Sequence, residues 1–419
     1  MTVPVETAEK AVPEAGRLLA AWAARTGAAG RGRAAELGWD FVVARAEGAY
    51  VLDTAGTRYL DCHTGAGIAN LGHRPPELVA AVKRAVHETD QGNFPLISAE
   101  KAALAADLAA FAGGRLPGVT FGVVRGEIFD FACKLARGAT GRKVLLAAEG
   151  CWFGQTGFAL SLSTRPEKAL FGPLIPETRI LAVEGDALLG AVGSDTAAVM
   201  VEPLQAENHC REISAETLRV LRARCSATGT LLVADETQTG FGRTGRKFAL
   251  EESGVEPDVL VVGEALGAAL FPIVAALATE AVQGFMHAHP LLHLSTFGGS
   301  DLACVAARAA LASYAAVRPW ENAAREGKRL RAGLEEIARR APAIESIAGR
   351  GLLVSLGLGT PERARAFCRA LARARVLAVP GEVARHTVVL RPSLTLGEDD
   401  VALLLDAVAQ AAAAADAAP

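Results

Sequence analysis

Two carboxylates stand where an apolar run of this chain gives way to a turn. In "VVGEALGAAL" (261–270), Glu264 follows the run 259–262 and opens a Gly-rich turn. In "LLVADETQTGFGRTGR" (231–246), Asp235 and Glu236 close a second apolar run, and Gln238 and a Gly-rich loop follow. A charge at the end of a buried strand is costly unless it is paired or put to use. Paired carboxylates in unequal surroundings can divide acid and base work, because burial raises one pKa and a nearby cation lowers the other. Taken alone, Asp235 reads equally well as a cap or half of a buried ion pair.

The elements that must position these groups are legible as short apolar runs. "KVLLAA", "RILAV", "AAVMVEP", "LLVADE", "VLVVG" and "IVAALAT" alternate with helical segments between about 120 and 310. This alternation predicts a three-layer α/β fold whose mainly parallel sheet is covered on both faces, with ligands at the carboxyl ends of its strands. "GAYVLDTAGTRYLDC" reads as a hairpin turning at Ala55-Gly56. The C-terminal stretch runs helix, strand, helix, strand, helix and reads as a smaller α+β lobe. The expected divisions are 1–75 (an arm and part of the small domain), 76–315 (the large domain with the cleft) and 316–419 (the C-terminal small domain).

Composition bounds the function. Of 419 residues, 51% are hydrophobic, ample for a large core, and the net charge of −3 gives no basic surface for nucleic acid or an anionic membrane. The seven cysteines are scattered without a CxxC, which argues against a disulfide framework or zinc site and for a reducing, cytoplasmic setting. No histidine pair has metal-ligand spacing, so no metal is expected; His73 reads as packing and His209 as an exposed loop residue. "MTVPVETAEK" lacks the pattern of a signal peptide, and the apolar stretch around 259–279 is broken by Glu264, glycines and Pro272.

Several motifs together resemble the class III (ω) aminotransferases, pyridoxal-phosphate enzymes of fold type I. "YLDCHTGAGIANLGHRPPELVAAV", "AVMVEPLQAE", "LLVADETQTGFGRTGR", "PDVLVVGEALG", "STFGGSDLAC" and "AGRGLLVSLGL" follow in the family's order over nearly the whole chain. The resemblance implies that Asp235 holds the protonated pyridine nitrogen, that Gln238 lies near the ring hydroxyl and that Thr296 reaches the cofactor phosphate of a neighbouring subunit in a homodimer with shared sites.

The chain departs from the family pattern in four places. Where the family has its Schiff-base lysine, this chain has Glu264, and a carboxylate forms no imine. The Ser-Gly phosphate cup is replaced by Val124-Arg125-Gly126-Glu127; Arg125 either binds an anion or pairs with Glu127 or Glu264. "CWFG" keeps an aromatic at Trp152 but has Phe153 for the usual His, and Phe153 also reads as core. Arg391 lies about two residues off the position of the family's carboxylate-gripping arginine.

These departures predict an aminotransferase-fold enzyme that has lost ordinary transamination. The expectation is an acid/base reaction without pyridoxal phosphate, such as cyclisation, condensation or dehydration of a small biosynthetic intermediate, with Glu264 and Asp235 as the catalytic pair. Arg125, Gly126, Trp152, Phe153, Gln238 and Thr296 would line its pocket, and no cofactor would be needed. The alternatives are a related enzyme that holds pyridoxal or pyridoxamine phosphate non-covalently, and a non-catalytic pseudoenzyme that serves a partner.

Overall fold

Runs of four to six apolar residues with no polar face bury both sides of a strand, and this chain places them at the centre of one sheet. The structure is a computed structural model that describes residues 15–26, 32–92 and 96–416. The segment 1–10 therefore lies outside the described residues.

Seven strands form the main sheet: β1 (Gly118–Gly122), β2 (Val144–Ala148), β3 (Thr178–Leu181), β4 (Thr196–Val201), β5 (Leu231–Asp235), β6 (Val259–Val262) and β7 (Val274–Ala278). Their spatial order is β1-β7-β6-β5-β4-β2-β3. Strands β2 to β6 run parallel. β7 runs antiparallel to β6 and to β1. The connection 263–273 is too short for a crossover helix, so β7 must return in the opposite sense. The mainly parallel α/β fold is as expected. The apolar runs do not reveal β1, because two of its five residues are glycine and its middle is only half-buried.

Helix α1 (Arg125–Thr140) follows β1 and ends at Gly141 in the left-handed conformation (φ 68°), the usual helix stop. Its Ile128, Phe129, Phe131, Ala132, Leu135 and Ala136 are buried in the large core around the sheet.

A second core joins the two ends of the chain. Leu37 and Leu60 from the N-terminal part pack with Leu330, Phe367 and Leu404 from the C-terminal part. The expected hairpin forms between Tyr50–Asp53 and Arg58–Asp61. The second of these strands pairs in parallel with Val376–Leu377. A separate sheet contains Ser346–Arg350, Leu353–Gly357, Thr387–Leu390 and Val379–Pro380. Among the described residues, no helix is long and apolar enough to cross a membrane.

Candidate active site

Residues at the carboxyl ends of β2, β4, β5 and β6 converge on the N-terminus of α1, the edge at which an open parallel sheet takes its ligands. The exits of β5 and β6 are in close contact. A Cβ on Gly263 would lie 2.6 Å from the Thr237 carbonyl oxygen, so only glycine lets the two turns approach this closely. This contact brings Glu264, Thr237 and Asp235 to one side of the sheet.

Arg125, the first residue of α1, dominates the cleft. Its Nη2 donates to Glu202 Oε1 at 2.8 Å and to Asp235 Oδ2 at 3.0 Å, and its Nε reaches the same Asp235 oxygen at 3.3 Å. Its Cζ lies 4.9 Å from the centre of the Trp152 ring, within the range of a cation–π contact. Asp235 Oδ1 accepts from Thr237 N at 2.8 Å, and Glu202 Oε2 accepts from Trp152 N at 2.7 Å. Arg125, Glu202 and Asp235 are all buried.

Glu264 points elsewhere. Its Oε1 accepts from the backbone N–H of Arg125 at 2.9 Å. It supplies an anion to the first turn of α1, where the N-cap Val124 has no side-chain acceptor. Glu127 reaches back to Val123 N at 2.7 Å. The expected pairing of Arg125 with Glu127 or Glu264 is therefore corrected. Both acids are engaged by backbone N–H groups, and the guanidinium turns inward to Asp235 and Glu202.

This cluster holds two carboxylates against one guanidinium. Burial pushes the Glu202 carboxyl up, and the neighbouring Asp235 adds to this. Arg125 and Trp152 N oppose it, leaving a pKa of about 8. Burial works against the charge of Arg125, but Asp235 and Glu202 outweigh it and raise its pKa. Three buried polar atoms lining the cluster have no partner: Arg125 Nη1, Trp152 Nε1 and Thr237 Oγ1. Unmet buried groups of this kind are uncommon.

A second arginine cluster adjoins the first through Gln238. Arg391 Nη1 donates to Glu207 Oε1 at 2.6 Å and also to Gln238 Oε1. Burial would raise the Glu207 carboxyl, but the charge and hydrogen bonds of Arg391, with help from Glu382 N, bring it down to about 2. His63 faces this cluster; burial first and then Arg391 lower its pKa to about 4.

The structure brings together Asp235, Arg125, Gly126, Trp152 and Glu264, and it separates other expected members. Phe153 is fully buried and stacks on Phe129 with ring centroids 4.1 Å apart, so its place in the pocket is corrected to core packing. Gln238 is engaged by Arg391. Thr296 is exposed. Glu236 turns away from the cleft and holds the following loop through the N–H groups of Ala249 and Leu250. His73 pairs with Asp61 at 2.9 Å. His209 is not on an exposed loop; it is half-buried and bonds Ser355 and Ser346. Sequence reasoning missed Glu202 and Glu207, although both stand in "AVMVEPLQAE". Glu202 closes a fully buried strand, the same signal that marks Glu264.

Lysines lie elsewhere. Lys134 bonds His293, Lys168 bonds the carbonyls of Ser161 and Ser163, and Lys247 lies over Phe111 and Trp320. Among the described residues, none bonds Asp235, Glu202 or Glu264. No group of three metal-ligating side chains occurs among them either.

Comparison with known proteins places this cleft in context. Residues 33–412 match the model of the family described as aminotransferase class-III. An uncharacterized aminotransferase of Archaeoglobus fulgidus is 35% identical over 376 residues, 90% of this chain and 89% of the relative. The putrescine aminotransferase of Pectobacterium atrosepticum is 36% identical over 368 residues, 85% and 78% of the two chains. The ornithine aminotransferase of Toxoplasma gondii, solved with pyridoxal phosphate at partial occupancy in its active site, superposes with a TM-score of 0.85 at 26% identity and covers 90% of each chain.

These matches overturn two expectations. A reaction independent of pyridoxal phosphate, and a site needing no cofactor, are both at odds with a family and relatives named for amino transfer.

Proposed function

We propose, of a chain that belongs to the class-III aminotransferase family, that it transfers amino groups using pyridoxal or pyridoxamine phosphate held without a covalent bond. The observation that carries the reading is the buried Asp235 at the exit of β5, which shares the Arg125 guanidinium with the Trp152 ring beside buried polar atoms that have no partner. A flat ring with a protonated nitrogen and an anionic tail meets these demands: Trp152 offers a face, Asp235 an acceptor, and Arg125 Nη1 an unused donor. The fit does not extend to covalent attachment. Glu264 stands where the family resemblance puts the lysine, and this is the ground for reading the cofactor as held without an imine.

When bound, the cofactor supplies an electron sink through its ring nitrogen. The chain's own groups do the rest. Asp235 keeps a positive charge on the nitrogen it faces. Glu264, half-buried at the cleft wall, takes and returns the proton that a lysine amine otherwise moves. Arg391, neutralised by Glu207, suits a substrate carrying an amine; the putrescine and ornithine specificities of the relatives point to amines and amino acids. A second copy of the chain would cover the exposed Leu291, Leu292, Leu294 and Phe297, in the segment that carries Thr296. Dimer formation is the expected outcome of sedimentation.

The test is a stoichiometric half-reaction. Pyridoxamine phosphate and a panel of 2-keto acids are mixed with the protein, and formation of pyridoxal phosphate is followed by absorbance. Conversion abolished by Glu264→Gln supports the reading. Absence of conversion and of binding with every acceptor defeats it.

A further inference from the structure

The seat between Trp152 and Asp235 already holds a flat cation, the guanidinium of Arg125. We propose that Arg125 is a displaceable plug of the ring seat, so that a ring ligand enters only by exchanging with the guanidinium for Asp235. This deepens the proposed function and rests on it for the identity of the natural ligand.

Three observations carry the inference. The Arg125 guanidinium lies over the Trp152 ring, 4.9 Å from its centre, and donates twice to Asp235 Oδ2, contacts that a protonated heteroaromatic ring needs for itself. One carboxylate oxygen cannot serve both cations at full strength. The guanidinium is held by its Nε and Nη2 edge only, and Nη1 is buried without a partner, so the plug is incompletely satisfied where it sits. Glu202 bonds the same Nη2 at 2.8 Å and offers the guanidinium a second anchor after it leaves Asp235. The exchange has a chemical requirement. The ligand must bring a positive ring nitrogen to replace the lost ion pair, and an anionic tail gives the freed guanidinium a new partner.

Pyridoxamine, which has the ring but no phosphate, isolates the plug from the anion contact. Its binding, and that of pyridoxamine phosphate, is measured by calorimetry on wild type and on Arg125→Met/Glu202→Gln, which removes the plug together with one carboxylate. The expected result is that pyridoxamine binds the double variant at least about tenfold more tightly than wild type, a difference of about 1.4 kcal/mol. Adding Asp235→Asn to that variant should abolish the gain. Arg125→Lys keeps the cluster's charge but loses the planar fork; it should show a smaller gain of the same sign and serves if the double variant does not fold. Equal pyridoxamine affinity in wild type and folded variants overturns the plug. Failure of wild type to bind pyridoxamine phosphate tells against the proposed cofactor instead. A gain for pyridoxamine in the variants still upholds the plug in that case.

Discussion

Arg125 and Arg391 are two buried arginines on either side of the Asp235–Gln238 turn, and their surroundings make opposite use of the same pairing. Arg391 meets one carboxylate, Glu207, which it holds ionised down to about pH 2. Arg125 meets two, Asp235 and Glu202, and one of them, Glu202, is pushed towards the protonated form. The difference is one of stoichiometry. One acid per guanidinium makes a balanced pair, whereas two acids per guanidinium make a cluster with a proton to exchange; each arginine keeps one buried nitrogen without a partner.

Removing each cation breaks the comparison in a different way. Arg125→Met strands Asp235 in the core and drives Glu202 to take up a proton, and at pH 8 it should cost about 3–5 kcal/mol, read from urea unfolding. At pH 5 the loss should shrink modestly, because Glu202 is then protonated with or without Arg125. Arg391→Met should cost less, roughly 2–3 kcal/mol, below the usual range for a broken buried pair. Its removal relieves Arg243, whose pKa is lowered to about 9 by burial and then by Arg391. A larger loss in Arg391→Met than in Arg125→Met at pH 8 would contradict the contrast.

The two acids sharpen it through pH. Glu202 has a folded pKa of about 8 against an ordinary 4.5, so the folded state binds the extra proton. Its contribution is fully present below pH 4.5 and is lost as pH rises to 8. Glu207 is lowered from 4.5 to about 2, so its contribution is present above pH 4.5 and is lost as pH falls towards 2. Glu202→Gln should flatten the stability profile between pH 5 and 8. Glu207→Gln should flatten only its acid limb. Urea midpoints across pH 3 to 9 measure both.

The smallest effect lies in the turn after Glu264. Ala268 and Ala269 both have positive φ (46° and 61°), where a side chain costs about 1–2 kcal/mol. Ala269 is exposed, and Ala269→Gly should raise thermal stability by up to about 1 kcal/mol after the entropy of glycine is set against the strain relieved. Calorimetric melting resolves a shift of this size.

The sequence displayed the scaffold more readily than the wiring. β4, β5 and β6 are continuous apolar runs, and Asp235 and Glu264 at strand ends are visible because a charge there contradicts its neighbours. β1 escaped because glycines dilute its pattern. The partners of Arg125 escaped for another reason. Spacing along a chain fixes which residues reach a cleft, but the direction a guanidinium takes depends on which acids have already been claimed. Glu127 and Glu264 are claimed by backbone N–H groups. Glu202 and Asp235 remained, and neither is near Arg125 in sequence. Phe153 was ambiguous because an aromatic beside a glycine serves a core and a pocket equally; Phe129 decides it.

The hydrogen bond from Arg125 N to Glu264 has a consequence for evolution and engineering. A lysine placed at 264 would set an ammonium at the positive end of α1, beside a second cation, and would leave the first N–H of the helix without its acceptor. Changing the side chain at 125 removes only the second cation; the helix end and its N–H without an acceptor remain, because the donor to Glu264 is backbone. Glu264 is therefore tied to the start of the helix itself and not to the side chain that follows it. A designer seeking a covalently anchored cofactor here should also give this helix a side-chain acceptor at its N-cap, which Val124 does not supply.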